Sequence, residues 1–139
     1  MTLTITTPTS NLDHSKEFYS KLHYTLLSEN SPTIFTDGSA IIEINPDRYA
    51  RPGVNIYKSS WQQEVEKLKM LTMVHEIPKG FLLNDLNGCW IYLIESDFPV
   101  VENVKGKNTA YPGNFSGLSL ESTDTQRSLS IWVVHGFKI

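Results

Sequence analysis

Few side chains in this 139-residue chain could do chemistry. Glu43 alternates with Ile42 and Ile44, so it shares one side of a strand with Ile41. Trp90 and Tyr92 share a side with Ile94, while Ile91 and Leu93 point the other way. Asn55 and Tyr57 alternate with Val54 and Ile56. A carboxylate can pair with a positive group, and Trp and Tyr rings stack on flat or cationic molecules. This is the chemistry of binding. Bond-breaking chemistry lacks its usual marks, since the sequence has no Ser/His/Asp arrangement, P-loop or dinucleotide fingerprint. Cys89 follows a turn with no base near it in sequence and reads as a buried, inert thiol. His14, His23, His75 and His135 are scattered, and none is expected on the side of a strand that carries Glu43 or Trp90. Plainer readings stand beside these: Glu43 as a solvated strand residue, Trp90 and Tyr92 as packing residues.

The elements that must position these residues follow from periodicity. Leu3 and Ile5 alternate with threonines, which predicts a first strand. A helix should start near residues 11–13 under an Asn or Asp cap, with Phe18, Tyr19, Leu22 and Leu26 at helical spacing. Strands are expected over 24–29, 33–36 and 40–44, with Asp37-Gly38 as a hairpin turn. The order then repeats. A strand at 54–57 leads to a capping box of Ser60 with Gln63 and a helix carrying Trp61, Val65, Leu68 and Thr72 on one stripe. Strands near 72–77 and 81–84 follow. Asp85-Leu86-Asn87-Gly88 is turn chemistry, and Trp90 to Glu95 is rich in the aromatic and β-branched residues that a pleated surface favours. Residues 1–48 and 52–96 thus each read as strand–helix–strand–strand–strand, two units able to share a core.

Residues 97–113 are punctuated by Pro99, Gly106, Pro112 and Gly113 and read as a linker. Residues 114–139 restart the pattern, with a strand around Leu118 and Leu120, a capping box of Thr123 with Gln126, and a helix over 128–135. The remaining strands of that third module are absent, which suggests a truncated or shortened chain. Its apolar tail, including Ile131, Trp132 and Phe137, needs a partner surface on this domain, on a second subunit, or on strands outside the sequence.

Composition narrows the function classes. With 40% hydrophobic and 19% charged residues the chain is globular rather than disordered. A formal net charge of −3 gives no basic footprint for nucleic acid or a membrane surface. A single cysteine forms no intrachain disulfide, and no apolar run approaches the ~20 residues of a spanning helix. The expectation is a cytoplasmic protein.

Asn11-Leu-Asp13-His-Ser15-Lys-Glu-Phe18-Tyr19 resembles the D-x-x-x-S-x-x-F-Y signature of the vicinal oxygen chelate superfamily, which includes glyoxalase, extradiol dioxygenases and bleomycin-binding proteins. Leu22-His23-Tyr24 stands where that family has L-G-F, and His135-Gly136-Phe137 repeats it. Asp85-Leu-Asn-Gly88 is similar to its D-P-x-G turn, with Leu86 in place of Pro. The resemblance implies an α+β fold of paired βαβββ modules, a curved, mostly antiparallel sheet with a concave cup, and helices on the outer face. Residues 1–96 would form that domain, 97–113 the linker, and 114–139 the start of a further module. In metal-using members four ligands line the cup, and by position they fall near Thr4, Glu43, Gly53 and Tyr92. Only Glu43 is an ordinary ligand, whereas a catalytic metal takes about three protein ligands and an open position. No metal or other cofactor is therefore expected.

What remains is a cup face with ligand-binding candidates Thr4, Phe35, Glu43, Asn55, Tyr57, Trp90 and Tyr92, next to Thr2, Thr6 and Ile41. The leading expectation is metal-independent binding of a small organic molecule, as in the bleomycin-resistance type, by a homodimer. One alternative is a glyoxalase- or dioxygenase-like enzyme whose site is completed by another subunit or the missing module. The other is a degenerate structural domain.

Overall fold

A computed structural model describes residues 2–98 and 110–138. Among them are eight strands and three helices, in the order β1 (Thr2–Pro8), α1 (Leu12–Lys21), β2 (Thr25–Ser28), β3 (Thr33–Thr36), β4 (Ile41–Asn45), β5 (Gly53–Lys58), α2 (Gln62–Leu68), β6 (Val74–Ile77), β7 (Gly80–Asn84), β8 (Trp90–Glu95) and α3 (Thr125–Val134). The fold is α+β, and its strand pairing mixes parallel and antiparallel neighbours. The chain divides into two compact units. The first comprises Leu3–Pro52 with Phe98 and residues 110–117; the second comprises Gly53–Asp97 with Thr2 and residues 118–138. Most of the expected linker, residues 99–109, lies outside the described residues.

In the first unit the strand order is β2-β3-β4-β1. β1 runs parallel to β4, placing Ile5 beside Ile42 and Thr6 beside Glu43. β3 is antiparallel to β4, with Phe35 beside Ile42 and Ile34 beside Glu43. Neighbours in register share a face. One face therefore carries Ile5, Phe35 and Ile42, and the Tyr19 ring of α1 stacks on Phe35 at 5.4 Å. The other face carries Thr4, Thr6, Ile34 and Glu43. α1 begins as expected: Asn11 is its cap, and the Asn11 side chain accepts the His14 backbone N–H at 3.0 Å. It ends at Leu22, and His23 turns the chain with φ 60. At the β3–β4 hairpin the Asp37 carboxylate accepts the backbone N–H groups of Ser39, Ala40 and Phe115, which ties residues 110–117 to this unit. The Tyr111 N–H donates to the Leu22 carbonyl at 2.8 Å at the other end of that segment.

In the second unit the order is β5-β8-β7-β6, with β5 and β8 parallel. Val54, Ile56, Leu83, Ile91 and Leu93 share one face and form the core with Trp61, Val65 and Leu68 of the α2 region and Ile131 of α3. Trp61 is the anchor. Its backbone N–H donates to Glu95 Oε1 at 2.8 Å and its indole N–H to the Ile94 carbonyl at 3.2 Å. This replaces the expected capping box: Trp61 itself occupies the N-cap position, and the α2 start has no side-chain cap. The Trp61 N–H finds a carboxylate from β8, and Ser60 Oγ accepts the Gln62 N–H at 3.4 Å rather than pairing with Gln63.

The C-terminal segment also departs from expectation. Residues 118–120 form no strand, and α3 begins earlier than expected, capped by Asp124 accepting the Arg127 N–H at 3.1 Å. With no strand beside it, α3 buries Ile131 against α2 of its own chain. Ile131 of the apolar tail is thereby seated on its own chain, while Val133 and Phe137 remain 46% and 37% exposed. The Asp85–Gly88 turn holds the helix from the side. Asp85 accepts the Asn87 and Cys89 N–H groups, and the Asn87 amide donates to Ser128 Oγ at 2.8 Å.

Burying an aliphatic or aromatic side chain contributes about 1.5–3 kcal/mol, so the two helix faces are unequal. α1 buries none of its residues fully and leaves Phe18 57% exposed, whereas Trp61 is 1% exposed. Trp61→Ala should lower the unfolding free energy by about 3–5 kcal/mol in urea titrations. Phe18→Ala should change it by about 0.5 kcal/mol or less.

Candidate functional site

On the first unit the site begins with a carboxylate that the strand pattern forces inward. Glu43 lies mid-strand in β4, 7% exposed, on the face turned away from α1. A buried carboxylate is costly without a donor. Thr4, fully buried on β1, supplies one: its hydroxyl donates to Glu43 Oε1. Thr6, also buried, is in register with Glu43. Both threonines are in reach because β1 and β4 are parallel neighbours and Thr4 and Thr6 are two residues apart on one strand. The solvated-strand reading of Glu43 does not hold.

Phe35 is not on this face. It pairs in register with Ile42 and stacks on Tyr19, so Ile34 occupies the place expected for it beside Glu43. A shift of one residue moves every side chain of a strand to the opposite face, and in the short run Thr33–Thr36 both registers look alike in sequence.

On the second unit the face opposite α2 carries the other candidates. Asn55 is in register with Tyr92, and Gly53 with Trp90. Tyr57 pairs with Ile94 on the same face. Asn55 and Tyr57 are buried, whereas Trp90 and Tyr92 are half-buried. The row continues outward, because Tyr92 is opposite Leu82 and Leu82 opposite His75. His75 therefore shares a face with Tyr92 and Asn55, contrary to the sequence reading. Val74 pairs with the core residue Leu83, which turns His75 the other way.

The donor set Thr4, Glu43, Gly53 and Tyr92, expected by position from the metal-using members of the superfamily, does not fit a metal. The Thr4 hydroxyl is committed to Glu43. At Gly53 a Cβ would meet the Trp90 carbonyl oxygen at 1.9 Å, so no residue with a side chain fits there without backbone movement. Among the described residues no three His, Cys, Asp or Glu side chains cluster to hold an ion. The other histidines have local roles. His14 lies exposed in the first turn of α1, and His23 stacks on Tyr111 at 4.0 Å. Burial, with Asp85 adding to it, pushes the Cys89 thiol up to about 11, which keeps it protonated and poorly nucleophilic near neutrality.

A feature the sequence did not announce is an open hollow of about 590 Å³ along α1, lined by Thr7, Thr9, Asn11, His14 and Phe18 among others. Its lining comes from β1, the loop and the outer side of α1, where no strand alternation points to it. No protein-family model matches this chain, and no curated protein does.

The close approach at Gly53 gives a direct test of the site's backbone. Gly53→Ala should cost about 3 kcal/mol of stability, measured by denaturant unfolding. Gly117→Ala, where an added Cβ meets nothing within 4 Å, should leave stability nearly unchanged.

Proposed function

We propose that this chain is a metal-independent small-molecule-binding protein of the glyoxalase and bleomycin-resistance type. The observation that carries the reading is the buried Glu43 carboxylate, oriented by Thr4 on a sheet face that its helix does not cover. A carboxylate fixed in this way is suited to the positive or hydrogen-donating end of an organic ligand. The second unit offers complementary chemistry: Trp90 and Tyr92 stand two residues apart on one face of β8, with Asn55 beside Tyr92. Half-exposed rings next to an amide suit a flat ligand that needs one hydrogen bond. The resemblance in the Asn11 to Tyr19 segment and in the Asp85–Gly88 turn supports the same family. Paired βαβββ modules, a concave cup, helices on the outer face and a cytoplasmic homodimer belong to this proposal. No helix among the described residues is long and apolar enough to cross a membrane.

Thermal denaturation with a panel of aromatic amines and neutral aromatic compounds tests it. A ligand at a hundred times its Kd stabilises the folded state by about 2.7 kcal/mol, a rise of several degrees in Tm for a chain of this size. Glu43→Gln should abolish the response to cationic members and spare neutral ones. Trp90→Ala should weaken the response to flat neutral members. Stabilisation by Ni²⁺, Zn²⁺, Fe²⁺ or Mn²⁺ that disappears in Glu43→Ala would instead establish the metal-enzyme reading.

A further inference from the structure

α3 is seated in the second unit by contacts of two kinds. Ile131 is fully buried among Trp61, Val65 and Leu68. Around it are polar ties: Asn87 to Ser128 Oγ at 2.8 Å, the Trp132 indole N–H to Asp85 Oδ2 at 3.4 Å, and Arg127 to the Leu71 carbonyl at 3.4 Å. The C-cap of the helix is His135, 3% exposed, and among the described residues neither of its ring nitrogens has a hydrogen-bond partner. Its ring meets Trp61 edge-on at 6.0 Å and Trp132 at 6.2 Å.

A buried imidazole without partners is tolerated only while neutral. The charged groups around it do not provide for a cation. Glu64 on α2 is already paired with Lys58 at the end of β5. Lys58 also lies 5.0 Å from the centre of the Trp61 ring. Glu95 at the end of β8 accepts the Trp61 N–H, and Asp85 is taken by the Trp132 indole and two backbone N–H groups. The negative end of the α3 dipole favours a cation at this position, as does Glu64, but burial outweighs both. It takes the His135 ring from its ordinary 6.5 down to about 4.

We propose that His135 is an acid-sensitive latch: protonation of its buried ring releases α3 from α2 while the sheet of the second unit stays formed. The helix is free to leave because residues 110–124, which precede it, carry no helix or strand. Its departure uncovers the apolar stripe of Trp61, Val65 and Leu68. The sign follows from where the proton binds more tightly. An undocked His135 takes up its proton near pH 6.5 and a docked one near pH 4, so docking is complete above about 6.5. Below that it weakens by up to about tenfold per pH unit and levels off near 4.

Hydrogen exchange read by mass spectrometry, corrected for intrinsic rates, follows α3 and β8 separately in the intact chain. Between pH 7.5 and 4.5 protection of α3 should fall by about one to two orders of magnitude while β8 is unchanged. In His135→Leu, α3 should stay protected across the whole range. Joint loss of α3 and β8, or an unchanged pH response in His135→Leu, would overturn the proposal. Should that variant not fold, an NMR titration of the wild-type His135 ring decides: a midpoint well below the ordinary value supports the latch, and a midpoint at about 6.5 overturns it.

Discussion

Side chains alternate across a β-strand, and in both units that alternation separates a face for the helix from a face for chemistry. In the first unit it puts Ile5, Phe35 and Ile42 under α1 and leaves Thr4, Thr6 and Glu43 on the other side. In the second it puts Val54, Ile56, Ile91 and Leu93 under α2 and α3 and turns Asn55, Tyr57, Trp90 and Tyr92 away. The helix side holds the units together through apolar burial. The opposite side is then available for polar and aromatic groups that a core would not tolerate unpaired.

The molecule handles its buried carboxylates by one rule: each has donors close by. Glu43 is served by a threonine hydroxyl. Asp37 and Asp85 are served by backbone N–H groups of their own turns and by one group from the C-terminal segment: Phe115 for Asp37, Trp132 for Asp85. The turns thereby also fasten the later part of the chain. His135 is buried differently, its ring nitrogens without a hydrogen-bond partner among the described residues.

Strong alternation made much of this legible. The order of strands and helices through Glu95, the Asn11 cap and the facing of Glu43, Trp90 and Tyr92 follow from local pattern alone. Phe35 and His75 were assigned wrongly because β3 and β6 are only four residues long, and their facing is set by partners in β4 and β7 rather than by their own sequence. The α2 and α3 starts were misread for a related reason. Ser60 and Thr123 are good caps in isolation, but Glu95 and Asp124 supply the acceptors once the chain has folded. The seat of α3 could not be read at all, since an apolar helix does not announce which surface it covers. The hollow beside α1 and the orphaned nitrogens of His135 are likewise products of tertiary packing.

The central claim is that the sheet faces turned away from the helices take an organic molecule without a metal. Native mass spectrometry on protein purified without chelators tests it most directly, because it reads metal, retained ligand and subunit number in one spectrum. The account predicts a metal-free dimer carrying an organic adduct that Glu43→Gln loses. A stoichiometric divalent ion that is lost with Glu43→Ala would contradict it.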